Sequence, residues 1–233
     1  MGGVTGLMSS YSWDQARKDV GAGNVERVLS LIGKGVPNIR GRRRLGYPFK
    51  LSGQQRRGRV RGEGVIEERL LGKQTLLIRD GTVVTGVRFL ANAAGLGSRK
   101  KGNVVADLFG LDTKNSPVVG EVKITHGNPW YAVVECAEQV ALVRADRKNL
   151  ARWLKKELKI ESGCVGAWGM VIAPETYWCK QETAPAKKLL DALRRTTEIR
   201  ICCVSYPGPK SPKSLDANLI GLKVVCGMPP SIK

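Results

Sequence analysis

The sequence predicts an α/β fold in which helices flank a mixed central β-sheet and a β-meander is inserted ahead of the core. Segments of strand and helix length alternate from Val104 to Ser205, in the order hairpin, two helices, strand, helix, strand. Ahead of them, Thr75 to Ile78 and Thr82 to Phe89 are rich in β-branched residues, and Asp80-Gly81 between them is a strong hairpin turn. The first pattern predicts the core and the second predicts the meander.

The N-terminal part of the chain contains one clear helical pattern. A helix is predicted from Asn24 to Ile32, because Asn24 is a favourable N-cap and four aliphatic residues recur at helical spacing. From Val60 to Leu90 the pattern is more typical of strands. The small, polar and basic stretch Ala91 to Gly102 is predicted to be a loop.

Apolar periodicity predicts the elements that follow the hairpin. Pro129 suits the first turn of a helix that runs to Ala145. The other predicted elements are a helix at Asn149 to Leu158, a strand at Val165 to Ala173, a helix at Ala186 to Thr196, a strand at Glu198 to Ser205 and an edge strand at Leu219 to Cys226. The chain then divides into a basic N-terminal helix and arm (1–62), the meander and its loop (63–102), the α/β core (103–206), and a linker with an edge segment (207–233).

Positive charge dominates the chain. Lys and Arg number 39 against 20 Asp and Glu, which gives +19 and a pI near 10.0, and a surplus of this size favours a polyanionic partner such as nucleic acid. Residues 1–62 hold 13 Lys or Arg and 3 Asp or Glu, with two Gly-rich basic clusters. We predict that the clusters bind phosphates; the alternative is a flexible arm that only keeps the protein in solution. The predicted nucleic-acid-binding residues are Arg40, Arg42, Arg43, Arg44, Arg56, Arg57, Arg59, Arg61, Lys100 and Lys101.

The cysteine pattern and the hydropathy indicate the compartment. The six cysteines form no C-x-x-C pair and the only histidine is His126, so a zinc knuckle is not expected. The cysteine pattern is best explained by buried free thiols in a protein of a reducing compartment. No apolar run reaches transmembrane length and none follows Met1 as a signal sequence, so we expect a cytoplasmic protein that does not enter membranes, associated with the nucleoid in a bacterium or archaeon.

Three side chains between Val104 and Ile124 form the candidate catalytic set: Asp107, Glu121 and Lys123. An apolar run leads into Asp107, a turn-rich stretch follows, and a second apolar run carries the other two, which is typical of a β-hairpin. Glu121 and Lys123 are two apart on a strand and therefore share a face, while Val122 points into the core. Two carboxylates and an amine can hold a divalent metal ion and activate water beside a phosphate. Taken alone, Glu121 and Lys123 fit an ordinary solvated ion pair equally well.

The segment resembles the motif of the PD-(D/E)xK, or restriction-endonuclease-like, nuclease superfamily. Asp107 matches the first acid and Glu121-Val122-Lys123 matches the second half, with Ala106 in place of the usual proline. The resemblance implies a restriction-endonuclease-like core in which Asp107, Glu121 and the carbonyl of Val122 bind Mg²⁺ or Mn²⁺ and Lys123 positions the attacking water. Gln139 is similar to a polar residue that some members place near the site.

A second resemblance concerns the first helix. The residues Asn24 to Arg27, followed by glycines, are similar to a helix of archaeal Holliday-junction resolvases, which implies that Glu26 is a further catalytic acid. Glu67 and Glu68 are rival candidates for this role.

The predicted function is a Mg²⁺-dependent DNA endonuclease that acts on double-stranded or branched DNA, with a homodimer as one option because such sites often cut two strands in pairs. The alternatives are a nucleic-acid-binding protein without catalysis and a structural component of a nucleoprotein particle. His126 could reach the site or lie on the surface, and Asp112 is expected to be a turn residue. Five aromatic residues could stack on bases or pack in the core: Trp130, Tyr131, Trp168, Tyr177 and Trp178.

Overall fold

The computed structural model of the protein describes residues 15, 18–20, 22, 24–30, 62–71, 75–80, 83–95, 105–124, 128–161, 166–178, 180–206 and 221–227. His126 lies outside these ranges. The ten predicted nucleic-acid-binding residues also lie outside them: Arg40, Arg42, Arg43, Arg44, Arg56, Arg57, Arg59, Arg61, Lys100 and Lys101.

Seven strands form a closed, mixed β-barrel in which neighbours in sequence are neighbours in space. Strands β1 to β4 pair in antiparallel fashion, β4, β5 and β6 are parallel, and β7 returns antiparallel to β6. A parallel pairing of β7 with β1 closes the ring. The strands are β1 (Leu76–Asp80), β2 (Val83–Gly95), β3 (Val105–Asp112), β4 (Pro117–Val122), β5 (Trp168–Pro174), β6 (Ile201–Tyr206) and β7 (Gly221–Gly227).

The closed barrel overturns the predicted open sheet of a restriction-endonuclease-like core with an inserted meander. The hairpin of β1 and β2 forms as predicted, but it is part of the barrel, because β2 continues the sheet beside β3. The predicted C-terminal edge strand is not an edge, since β7 pairs with both β6 and β1. The closing seam pairs Leu77 with Gly221, Ile78 with Leu222 and Arg79 with Lys223. Closure satisfies backbone donors and acceptors that an open sheet would leave exposed.

Two further predictions on the N-terminal side of the core are wrong. The region interpreted as strands begins with a helix, α1 (Glu63–Leu70), in which Ile66 and Leu70 are one turn apart and face the barrel interior. The predicted loop at Ala91 to Gly102 is strand as far as Gly95, because β2 pairs with β3 along this length.

The helices that follow the hairpin agree closely with the sequence. Helix α2 (Pro129–Ala145) begins and ends where predicted. Helix α3 (Arg147–Trp153) continues as a π-helical turn (Leu154–Leu158), and α4 (Lys180–Thr196) begins before the predicted start. A short 3₁₀ turn (Glu175–Tyr177) follows β5. In the described N-terminal residues, 26–30 are helical, within the predicted helix.

No helix among the described residues is both long and apolar enough to cross a lipid bilayer.

Hydrophobic residues form two cores, one on each side of the barrel wall. The inner core fills the barrel and includes Val122 of β4, which is fully buried as predicted. The outer core lies between the barrel and α2 and α4. Other inner residues are Ile66, Ile78, Phe89, Leu108, Trp168, Met170 and Val204; outer ones include Phe109, Val119, Val133, Val140, Val171, Leu189 and Leu193.

Asp112 fixes the turn of the hairpin that carries the candidate site. Its Oδ1 accepts hydrogen bonds from the backbone N–H groups of Lys114 and Ser116, both at 2.8 Å. Its Oδ2 accepts a bond of 3.1 Å from Nε1 of Trp168 inside the barrel. Asp112 is therefore a turn residue, as predicted, and it also ties the β3–β4 hairpin to β5.

We predict that Gly169→Ala destabilises the protein by about 1–3 kcal/mol, because overpacking a well-filled core has this cost. A Cβ at Gly169 would clash with Sγ of Cys136 and lie 2.9 Å from Cγ2 of Val140, so α2 would be pushed from the barrel. The matched control is Gly166→Ala, whose Cβ would meet, among the described residues, only Nη1 of Arg144, at 3.9 Å. Urea unfolding of both variants measures the difference, and equal stability would contradict the close packing of α2 on β5.

Candidate functional site

The candidate site lies where β3 begins and β4 ends. The β3–β4 ladder runs as far as Leu108 opposite Gly120, so the next position along brings Asp107 opposite Glu121. Strand β4 runs parallel to β5, and its extension is held by a 2.9 Å bond from the Lys123 N–H to the Ile172 carbonyl. The site is therefore at the carboxyl end of parallel strands, an edge where ligands of α/β proteins commonly bind.

Hydrogen bonds fix the three predicted side chains. Oδ2 of Asp107 accepts a bond of 2.8 Å from the Val122 N–H. Nζ of Lys123 donates to Oε1 of Glu121 at 2.6 Å, which confirms that these side chains share a face. Nε2 of Gln139 donates to the other oxygen of Glu121, Oε2, also at 2.6 Å. The structure thus brings together Asp107, Glu121 and Lys123, and it adds Gln139 from α2, the polar residue suggested by the family resemblance.

A stripe on α2 completes this arrangement. Tyr131, Glu135 and Gln139 are spaced four apart and so lie on one helix face. Oε2 of Glu135 is 3.2 Å from Nζ of Lys123, which makes the ammonium the partner of two carboxylates. The Tyr131 hydroxyl hydrogen-bonds to Glu135. The sequence prediction missed Tyr131 as a site residue and Glu135 altogether, although polar residues at every fourth position of an otherwise apolar helix were a readable signal.

Helix α1 brings two more acids to the other side of the site. Glu63 hydrogen-bonds to the backbone of Ile124, and its charge interacts with Lys123. Glu67 is 3% exposed, and its charge acts on Asp107. Glu26 is exposed in the segment 26–30, and it is not among the groups that shift the pKa of Asp107. Of the three acids named from the sequence for this role, Glu67 is therefore the one buried beside Asp107, and Glu63 of the same helix lies at the end of β4.

Burial and mutual repulsion raise the pKa of two acids of this cluster, Asp107 and Glu135. Desolvation and the charge of Glu121 raise the pKa of Asp107 to about 8, against the lowering effect of the Val122 N–H bond. The same two causes raise the pKa of Glu135 to about 7. Desolvation works against the charged form of Lys123, but Glu121 and Glu135 outweigh it and raise its pKa above the ordinary lysine value. The Lys123 ammonium therefore stays charged, and the site holds more carboxyl groups than this one cation can neutralise.

This donor set fits a hard divalent cation. Mg²⁺ takes oxygen ligands and commonly keeps several waters, so one or two carboxylates suffice to hold it. Each carboxylate oxygen has two lone pairs, so Glu121 can accept its two hydrogen bonds and still ligate a metal. Within the part of the chain that the structure describes, no three His, Cys, Asp or Glu side chains converge as a ready metal-binding group. A bound ion would rest on Asp107 and Glu121, with the Val122 carbonyl as the further ligand that the family resemblance implies, completed by water or substrate.

The aromatic residues divide between core and site. Trp130, Trp168 and Tyr177 are buried, the first two almost completely, which matches the packing alternative and leaves little ring surface for stacking on bases. Tyr131 is only partly buried and borders the site through Glu135. Trp178 is partly buried against the outer core.

Comparisons of the chain with protein-family models, with curated proteins and with solved structures found no match.

We predict that Asp107→Asn flattens the pH dependence of stability, measured by urea unfolding in EDTA between pH 5 and 9. The pKa of the folded carboxyl, about 8, exceeds its ordinary value of 3.8, so the folded state binds this proton more tightly than the unfolded state does. Its stabilising contribution is complete below pH 4 and is lost as the pH rises through 8. The wild-type protein should therefore lose up to roughly 1 kcal/mol per pH unit relative to the variant.

The asparagine variant is suited to this test because its amide oxygen can still accept the Val122 N–H bond. Glu135→Gln serves as a second variant and should remove a similar slope, which lies between the ordinary pKa of 4.5 and the raised pKa of about 7. Identical slopes for wild type and both variants would show that these carboxyl groups ionise normally in the folded protein.

Proposed function

We propose that the protein is a metal-dependent nuclease that hydrolyses phosphodiester bonds in DNA. The observation that carries this proposal is the position of Asp107 and Glu121 one step beyond the last pair of the β3–β4 ladder, where their charges interact, with Lys123 bonded to Glu121 at 2.6 Å. The same three residues carry the resemblance to the PD-(D/E)xK motif. The resemblance supports the chemistry of the site only, since the barrel differs from the core of that superfamily.

Each residue has a role that follows from its surroundings. Asp107, Glu121 and the carbonyl of Val122 would hold Mg²⁺ or Mn²⁺, which when bound polarises phosphate oxygens and lowers the pKa of water. Gln139 and Lys123 orient the Glu121 carboxylate through its two oxygens. Lys123 stays protonated, so it positions water and offsets negative charge and does not accept the proton of the attacking water.

The substrate class follows from charge. A net charge of +19 attracts a polyanion over long distances and accelerates encounter at low ionic strength. The basic clusters within residues 40–61 remain the proposed contacts to the DNA backbone, on double-stranded or branched substrates. Four buried free thiols (Cys136, Cys202, Cys203 and Cys226) support a reducing compartment, the cytoplasm or nucleoid. A homodimer would let two such sites cut opposite strands.

The decisive experiment incubates the protein with plasmid, single-stranded and four-way-junction DNA in Mg²⁺, in Mn²⁺ or in EDTA. We expect metal-dependent cleavage, and we expect Asp107→Asn and Lys123→Met each to lower its rate by about 100-fold or more while DNA binding persists. Lys223→Met is the matched control, because Lys223 is an exposed lysine of β7. Wild-type protein that binds all three DNAs but cleaves none of them with either metal would overturn the nuclease proposal.

A second candidate function is nucleic-acid binding without catalysis, as an independent binding protein or within a nucleoprotein particle. A basic surface on α3 and the π-helical turn favours it, because its cations are exposed to solvent and lie on elements other than those that carry the acidic cluster. Its exposed cations are Arg147, Lys148, Arg152, Lys155, Lys156 and Lys159. Two of them are paired locally, Lys155 with Glu161 at 2.8 Å and Lys156 with Glu157 at 3.5 Å.

If this basic surface binds the DNA backbone, the triple variant Lys148→Gln, Arg152→Gln, Lys159→Gln should reduce the salt dependence of binding. The slope of log K against log salt should fall by about 0.9 for each duplex phosphate that the variant no longer neutralises. The charge-matched control replaces Lys188, Arg194 and Arg195, exposed cations of α4, with glutamine. Fluorescence anisotropy between 50 and 300 mM salt measures both, and equal slopes for the two triple variants would exclude a specific role for the surface.

A further inference from the structure

Two cysteines face each other across neighbouring strands of the barrel. The register of β6 and β7 places Cys203 directly opposite Cys226. Directly opposed residues of an antiparallel pair have Cβ atoms about 4.5–5.5 Å apart, close to the roughly 3.5–4.5 Å that a disulfide requires. A register shift between Cys203 and Val204 marks a bulge beside the pair, which gives the backbone room for a small adjustment.

The two thiols are already in contact. Burial and a side-chain hydrogen bond shared with Cys226 raise the pKa of Cys203, and the same hydrogen bond lowers the pKa of Cys226. The nearby Lys187 lowers the pKa of Cys226 further, against the effects of burial and Asp191. Cys203 is fully buried, whereas Cys226 keeps 7% of its surface exposed. One thiol is thus the more acidic and more accessible, and its partner is a buried hydrogen-bond donor.

We propose that Cys203 and Cys226 form a reversible disulfide when the protein meets a hydroperoxide. The proposal rests on cross-strand register and thiol contact, and it is independent of the nuclease proposal. The disulfide would crosslink β7 to β6, next to the seam where β7 pairs with β1 and closes the barrel. It would lie in the row of the sheet that contains Val171 and Glu121, because these residues and Cys203 occupy successive pairing positions.

The oxidation proceeds in two balanced steps. The Cys226 thiolate attacks one oxygen of hydrogen peroxide, which gives a sulfenic acid and hydroxide as the O–O bond breaks. The Cys203 sulfur then attacks the sulfenic sulfur, forms the S–S bond and releases water, whose second proton comes from the Cys203 thiol. In sum, two thiols lose two hydrogens and one peroxide is reduced to two waters. A dithiol reductant reverses the change.

The other described cysteines are distinct from this pair. Cys202 precedes Cys203 on β6, so its side chain points into the inner core. Cys136 belongs to α2 and lies in the outer core with Cys203, with which its charge interacts, so it is a rival partner. Cys202→Ser and Cys136→Ser are therefore matched controls that leave the proposed pair intact.

The test treats the reduced full-length protein with hydrogen peroxide, blocks remaining thiols in denaturant with iodoacetamide, and maps tryptic peptides without reduction. We expect peptide 201–210 joined to peptide 224–233 with the loss of two hydrogens, and separation of the two by dithiothreitol. Since trypsin leaves Cys202 and Cys203 in one peptide, the Cys202→Ser variant assigns the bond to Cys203. In Cys203→Ser, Cys226 should accumulate as a sulfenic acid that dimedone traps.

Two outcomes would overturn the proposal. One is recovery of both peptides unlinked and fully alkylated at peroxide doses that oxidise other thiols of the chain. The other is a link from Cys226 to Cys136 or to Cys202 that persists in Cys203→Ser. Circular dichroism of each variant before oxidation verifies the fold, and if a serine variant unfolds, the wild-type and Cys202→Ser maps decide the question alone.

Discussion

The Lys123 ammonium is the group on which the arrangement around the site depends. It bonds to Glu121 at 2.6 Å and lies 3.2 Å from Glu135, so a single cation joins the end of β4 to the middle of α2. Removing one partner from a buried charge pair leaves an uncompensated charge and is strongly destabilising. The polar stripe of α2 must therefore face β4 at this register, and the apolar residues around it are aligned with the outer core as a consequence.

Barrel closure positions the two acids of α1 beside the site. Ile66 and Leu70 anchor α1 in the barrel interior, which holds Glu63 and Glu67 of the same helix against the end of β4. An open sheet would offer α1 no enclosed apolar interior to enter, so Glu67 would have no reason to be buried beside Asp107. The β1–β7 seam thus influences the chemistry of a site at β3 and β4. It does so through α1, which packs inside the closed barrel.

The sequence allowed prediction where the relevant forces are local. The β3–β4 hairpin and α2 formed as predicted because alternation, a Pro at the first helical turn and the Asp112 turn act over a few residues. Helix α1 was missed because β-branched residues and a glycine hide its short apolar repeat. Closure was unpredictable, since the three pairs between Leu77–Arg79 and Gly221–Lys223 join segments that are distant in sequence and carry no mutual signal. Glu135 was missed because a carboxylate inside a helix normally indicates a solvated face.

The charge of the whole chain and the charge of the site act on a polyanion in opposite directions. A surplus of +19 would attract a polyanion, yet the cluster of Asp107, Glu121, Glu135 and Glu67 would repel a phosphate at close range. The raised pKa values of Asp107 and Glu135 favour their neutral, protonated forms, and this protonation relieves only part of the repulsion near neutral pH. A divalent cation held by Asp107 and Glu121 would relieve more of it, because it would bind carboxylate and phosphate oxygens together. The acidic cluster therefore argues for a metal ion between protein and phosphate, and against direct contact of the backbone with these side chains.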